Sequence, residues 1–370
     1  MTGPLGVGLS SQLLAGWKGK CEQLSSFRCN KVIGTNAFYA GFQQSSGKPV
    51  LTNDWLSPRD ADDHGTWCAG AAAGNPVKVK GGGQVSGMAP AARIAAYKVF
   101  WTDGNGDMYA TEPDIIAAVN QGVADGVDVL SLSLGGVNPE DNYFNDLSFM
   151  RANTAGVFVA FAAGNAGPPG RGGFYRTLDN FAPFYLTVMS ALMTMARVTD
   201  TSKSAIKSAT GGEATPWEMG AGHVFPPAML DPGLTYDARD RDYQNFLAGQ
   251  DLNRAKKEFP GAALSPLAVR NLNLPTITLP RLQGSLQVTR TVTNVGQSRS
   301  TYSVSGKPPQ GVKVTVGPRS LTLAPGEKGT YTVTVTVDTP SNDFKYGFLV
   351  WADAQGHSVR SPLVVQPISR

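Results

Sequence analysis

Three blocks of this chain carry side chains that could act together on an amide carbonyl. The first, Asp63-His64-Gly65-Thr66-Trp67-Cys68-Ala69-Gly70, sets a histidine behind the acidic segment Arg59-Asp60-Ala61-Asp62-Asp63 and ahead of small residues that let a helix pack closely. An imidazole in such a place can serve as a general base. The second is the glycine-bounded turn Gly164-Asn165-Ala166-Gly167, in which the Asn165 amide could donate to a developing oxyanion. Asparagine also suits turns because it tolerates left-handed backbone, so that reading stands beside the first. The third, Ser131-Leu132-Ser133-Leu134-Gly135-Gly136, reads either as a cleft edge that pairs with an extended peptide or as a core strand running into a glycine turn. Base, oxyanion donor and peptide edge are parts of acyl-transfer chemistry.

The elements that must hold these blocks alternate apolar runs with helical patterns, the signature of a parallel sheet covered by helices. Arg93 to Phe100 reads as a strand, and Thr111-Glu112-Pro113-Asp114 then offers a capping box with proline early in a helix. Ile115, Val119 and Val123 fall at four-residue spacing and predict one buried face of that helix. His64 opens another. Val127 to Leu134, Gly156 to Ala162 and Phe184 to Met189 are expected as further strands, each followed by glycine, asparagine or serine where parallel strands carry binding residues.

After about residue 265 the pattern becomes period-two alternation, as in Ser285 to Val292 and Thr330 to Val337, with turns such as Ala324-Pro325-Gly326-Glu327 between runs. That is the pattern of an antiparallel sandwich. The expected organisation is therefore an α/β domain over residues 1–250, a connection over 251–269 and an all-β domain over 270–370.

Composition narrows the functional classes. With 41% hydrophobic and 16% charged residues over 370 positions, the chain is long enough for two cores and ordinary for a globular protein. Its formal charge of +4 includes no basic run longer than Lys256-Lys257, which argues against nucleic acid as a partner. No apolar stretch reaches the roughly 20 residues that span a bilayer, so no membrane partner is expected, and Met1-Thr2-Gly3-Pro4 lacks the pattern of a signal peptide. Cys21 and Cys29 are close enough to bridge in an oxidising compartment, leaving Cys68 as an expected buried thiol. Asp103-Gly104-Asn105-Gly106-Asp107 with Asp114 partly matches a calcium loop, but Met108 stands where the loop needs glycine, and a polar turn is the better reading. Gly81-Gly82-Gly83 beside Lys78 and Lys80 lacks phosphate-loop spacing and reads as a surface turn. Neither a metal nor a cofactor is expected. His223 is assigned a structural role, and His357 an exposed place in a β hairpin.

A set of further motifs combines with these blocks. They are Trp17-Lys18-Gly19-Lys20-Cys21, Cys29-Asn30-Lys31, Ser57-Pro58-Arg59-Asp60, Gly87-Met88-Ala89-Pro90, Tyr97-Lys98-Val99, Asp125 to Ser131, Ser190 to Thr194, Gly220-Ala221-Gly222-His223-Val224 and Asp231-Pro232-Gly233-Leu234. Together they resemble the subtilisin-like serine proteases (subtilases, peptidase family S8) of the plant-type branch. The β domain, with Thr291-Val292-Thr293-Asn294-Val295-Gly296, resembles the fibronectin type III-like module that ends those proteases.

The resemblance implies a serine endopeptidase acting on polypeptides outside the cell. His64 matches the catalytic base, Asn165 the oxyanion donor, and Ser131, Leu132, Ser133, Leu134 and Gly135 the substrate-binding edge. The departures are as informative. No Asp-Thr-Gly or Asp-Ser-Gly turn precedes His64, and the Gly-Thr-Ser-Met-Ala nucleophile block is absent throughout. Instead Leu186-Thr187-Val188 runs straight into Met189-Ser190-Ala191-Leu192. Asp63 and Trp67 stand where the family usually has glycine and a second histidine. Asp62 and Asp63 are too close in sequence to orient the His64 ring from behind, as a triad aspartate must. Ser190 matches a helix residue that is not the family nucleophile. The expectation is an incomplete triad and an inactive α/β domain of marginal stability, with a non-catalytic pseudoprotease that binds a peptide or partner as the alternative.

Overall fold

The computed structural model describes residues 16–21, 29–46, 54–135, 147–162, 190–208 and 211–369. Asn165, Gly136 and the expected strand Phe184 to Met189 lie outside them. The chain divides into two compact units, Met1–Ala163 and Gly164–Arg370.

Among the described residues of the first unit, two parallel strand pairs are formed. β1 (Val32–Ala37) lies beside β2 (Ile94–Lys98), with Val32 opposite Ile94 and Ala37 opposite Lys98. β3 (Val129–Leu132) lies beside β4 (Phe158–Phe161), with Ser131 opposite Ala160. Helices α1 (Ala40–Ser46), α2 (His64–Ala73), α3 (Glu112–Asp125) and α4 (Leu147–Thr154) accompany them.

α3 follows from its sequence. Pro113 sits in its first turn, where a missing N–H costs nothing. Val119 is buried and Ile115 and Val123 are half-buried, as the four-residue spacing predicts. Gly126, at φ 90°, ends the helix by donating to the carbonyls of Gly122 and Val123. The expected capping box is not formed, because Asp114 has stronger calls on its carboxylate. It accepts the backbone N–H groups of Gly41 (2.9 Å) and Phe42 (2.8 Å) and the Thr111 hydroxyl (2.7 Å). The Thr111 hydroxyl therefore donates to a side chain instead of accepting a backbone N–H, and Asp114 ties the start of α1 to α3.

The second unit begins among described residues with the short helix α5 (Ser190–Thr194) and is dominated by β structure. Its four-stranded sheet runs β9 (Val312–Gly317), β11 (Lys328–Val337), β7 (Ser285–Asn294), β5 (Leu234–Tyr236). The five-stranded sheet runs β6 (Ile277–Leu282), β13 (Ser358–Pro367), β12 (Lys345–Ala352), β8 (Ser300–Lys307), β10 (Ser320–Leu323). The predicted runs Ser285 to Val292 and Thr330 to Val337 fall within β7 and β11, and alternate side chains of each are buried. Tyr302, Tyr331, Trp351, Val333 and Leu363 fill the space between the sheets.

Two polar devices lie inside this apolar core. The Tyr236 hydroxyl stands 2.7 Å from both the Tyr331 hydroxyl and Ser361 Oγ, joining β5 to strands of both sheets. Arg290 is only 3% exposed, and its guanidinium donates to the carbonyls of Leu274, Arg270, Thr276 and Thr289. A buried cation is tolerated when its donors are satisfied in this way. It pins the approach to β6 against β7.

Candidate active site

α2 is built at its N-terminus by Asp60. That carboxylate accepts the N–H groups of Asp62 (3.1 Å), Asp63 (3.1 Å) and Thr66 (2.8 Å) and the Thr66 hydroxyl (2.6 Å). Burial opposes its charge, but the Thr66 hydroxyl and these backbone donors outweigh burial and hold the carboxyl below its ordinary range. A negative charge here also complements the helix dipole. Asp63, the residue before the helix, has φ 68° and ψ −18°, the left-handed region that favours glycine.

At the other end, Gly87-Met88-Ala89 runs back along α2. Met88 and Ala89 donate to the carbonyls of Ala71 and Ala72, and Gly87 donates to Gly74. A Cβ on Gly87 would lie 2.3 Å from the Gly74 nitrogen, so only glycine permits this approach.

His64 is the first residue of α2, as expected, and its side chain is exposed. Among the described residues its ring faces no carboxylate or hydroxyl. Its neighbour is Cys68, one turn on, whose Sγ lies 3.8 Å from Nε2. Cys68 is a free thiol, as expected, but half-buried and not fully buried, because α2 leaves this face open. Trp67 is 74% exposed on the same helix. Asp62 and Asp63 present their backbone to Asp60 and supply no partner for the ring.

The expected peptide edge lies at the carboxyl end of β3. Ser131, Ser133 and Gly135 are exposed, and Leu132 and Leu134 are half-buried. On one side β3 is occupied by β4, the Leu132 carbonyl accepting the N–H of Ala162 at 3.0 Å. Asn165 is outside the described residues, so His64 and the edge are the parts of the expected site that the structure places.

Ser190 is buried at the start of α5, and its Oγ accepts the backbone N–H of Tyr236 at 2.7 Å. Its hydroxyl supports β5. The polar turn Asp103 to Asp107 joins a two-residue ribbon, with Asp103 accepting the N–H groups of Asn105 and Asp107. Among the described residues no group of three His, Cys, Asp or Glu side chains could hold a metal ion, and no helix is long and apolar enough to cross a membrane.

Cys21 and Cys29 form a disulfide. His223 is exposed and joins Arg197 through a backbone bridge. His357 departs from expectation. It lies in the turn between β12 and β13 but is only 10% exposed, because the Asp231-Pro232-Gly233 turn closes over it. Nothing within its own hairpin signalled that cover.

Comparison with known proteins places these features. The family model described as "Subtilase family" matches residues 33–243, and that described as "Fibronectin type-III domain" matches residues 271–365. "Subtilisin-like protease SBT5.3" of Arabidopsis thaliana is 37% identical over 267 residues, covering 69% of this chain and 32% of that protein. "Subtilisin-like protease SBT1.3" of the same plant is 40% identical over 193 residues, covering 50% of this chain and 24% of that protein. "Subtilisin-like serine-protease S" of Lotus japonicus is 40% identical over 190 residues, covering 49% of this chain and 25% of that protein. The chain thus spans a third or less of the length of these relatives. Its first unit carries the parallel strand pairs and the histidine-headed helix, its second the β sandwich, and the chain belongs to the subtilase family, with a fibronectin type III-like domain at residues 271–365.

Proposed function

We propose that this chain derives from a serine endopeptidase that hydrolyses peptide bonds outside the cell, and that its 370 residues do not complete the reaction by themselves. In the full reaction a serine attacks the peptide carbonyl, His64 takes the hydroxyl proton and returns it to the leaving amine, and Asn165 donates to the oxyanion. Ser131, Leu132, Ser133, Leu134 and Gly135 hold the substrate as an added strand. Residues 1–250 form the peptidase portion, 251–269 the connection and 270–370 the β domain. No cofactor is required. The Cys21–Cys29 disulfide supports an oxidising, extracellular setting.

The observation that carries this reading is His64, the first residue of a capped helix, with its imidazole open to an approaching substrate. A second reading, a non-catalytic protein that binds peptides or a partner, is favoured by the absent Gly-Thr-Ser-Met-Ala block and by Ser190, whose hydroxyl is committed to Tyr236. Loss of the nucleophile removes on the order of a million-fold in rate in a subtilisin, the relative from which that figure comes.

A fluorophosphonate probe separates the possibilities, because stable labelling requires an activated serine. The expected result is no labelling of this chain, with or without His64→Ala. Labelling of the parent chain that is lost in His64→Ala would overturn the inactive reading. Retained binding of an extended peptide without labelling would favour the binding protein.

A further inference from the structure

Asp231, Asp353 and His357 meet within the second unit, beside an open cleft of about 380 Å³ lined by Met195, Ala228, Asp231, Gln355, His357 and Arg360. The turn from Asp353 to His357 is organised by one carboxylate. Asp353 Oδ1 accepts the N–H groups of Gln355 (3.0 Å) and His357 (2.9 Å), and Oδ2 accepts the Ser300 hydroxyl (2.6 Å). The same Oδ2 lies 2.7 Å from His357 Nδ1, and the Asp353 side chain is 0% exposed. On the far side of the ring, Nε2 lies 3.2 Å from Asp231 Oδ1, whose side chain is 74% exposed.

Both ring nitrogens therefore face carboxylate oxygens, which only accept hydrogen bonds. A neutral imidazole has a single N–H and can serve one of them; the imidazolium serves both.

Asp231 also opens the Asp231-Pro232-Gly233 turn that feeds β5. Gly233, at φ 71°, rests against the ring, where a Cβ would lie 2.7 Å from His357 Cγ and 2.9 Å from the Tyr302 hydroxyl. Its carbonyl accepts the N–H of Val295 at 2.9 Å. The turn is thus held between the ring on one side and the end of β7 on the other.

We infer that His357 is a pH-operated latch: protonated, it ties the turn before β5 to the β sandwich, and neutral, it lets Asp231 go and loosens the edge strand beside the cleft. This proposal does not depend on the peptidase reading.

The surrounding charges favour the protonated ring. Burial disfavours its charge, but hydrogen bonding and attraction to Asp353 and Asp231 outweigh burial and raise its pKa above the ordinary value of about 6.5. Asp353 is pushed down to about 2, because its bonds to His357 and Ser300 outweigh burial, and it stays ionised while the latch works. The other elements around the ring offer few charges. Tyr302 on β8 has its hydroxyl pushed up to about 12 by burial and by Asp353, and is neutral. Arg360 on β13 lines the cleft, whereas Thr194, Met195 and Ala228 are uncharged. A raised folded pKa means that the stabilisation is full below the unfolded value and is lost as pH rises through the folded one.

The chain has three histidines, which makes the test direct. In the intact chain labelled with ¹³C at histidine Cε1, one resonance should titrate above about 6.5 and vanish in His357→Gln. In Asp231→Asn the same resonance should titrate at lower pH. The melting temperature of the parent should exceed that of His357→Gln most at pH 5, by about 2–4 °C, and the gap should close by pH 8.5. A His357 that titrates at or below the ordinary value, or a gap that does not vary with pH, would overturn the latch. Should His357→Gln not fold, Asp231→Asn decides: Asp231 is exposed, and an unchanged His357 titration in that variant rejects the proposal.

Discussion

Asp63 occupies backbone that a side chain tolerates badly. Left-handed φ, here 68°, costs an L-residue about 1–2 kcal/mol, less for aspartate. The position survives because the Asp63 N–H donates to Asp60, which holds the first turn of α2 together. Asp63→Gly is therefore expected to raise stability by about 0.5–1 kcal/mol in urea denaturation followed by circular dichroism. Asp60→Ala should lower it by about 1 kcal/mol, as loss of a cap does. Because the Asp60 pKa is depressed, the cap works above the ordinary carboxylate range and fades as pH falls below it, so the Asp60→Ala deficit should shrink in acid. His64 at a helix start was legible, since an acidic segment followed by small residues has few other solutions. The half-buried state of Cys68 was not, because the exposure of a helix face depends on what packs against it.

Among elements, those with local periodicity were readable and those made by distant partners were not. β2 and α3 declare themselves through Ile94 to Lys98 and through the four-residue recurrence of Ile115, Val119 and Val123. The capping box expected at Thr111 does not form because Asp114 answers to Gly41 and Phe42, far away in sequence. β5 is only three residues long, and its pairing with Val292, Thr293 and Asn294 leaves no trace in its own composition. Its anchor is the Tyr236 hydroxyl. Tyr236→Phe is expected to cost about 1–3 kcal/mol, since Tyr331 and Ser361 would each lose a buried partner. Thermal unfolding of the second unit, with Ser361→Ala as the companion variant, checks this: the two losses should be markedly less than additive.

At the scale of the whole molecule, the sandwich takes an edge strand and a buried hydroxyl from sequence that precedes its own alternating pattern. A fragment of residues 270–370 would leave β7 unpaired along Val292 to Asn294. Such a fragment should melt lower and self-associate in size-exclusion chromatography, whereas residues 190–370 should remain monomeric under the same conditions. Equal behaviour of the two fragments would show that β5 is dispensable. The same pairing imposes a schedule on synthesis. Tyr236 leaves the ribosome before Val292 exists, and at about 5–20 residues per second the strand waits several seconds for its neighbour. Throughout that interval a row of unsatisfied backbone groups and an apolar tyrosine stand open to whatever else is nearby, so the yield of folded protein should depend on how quickly residues 285–294 follow.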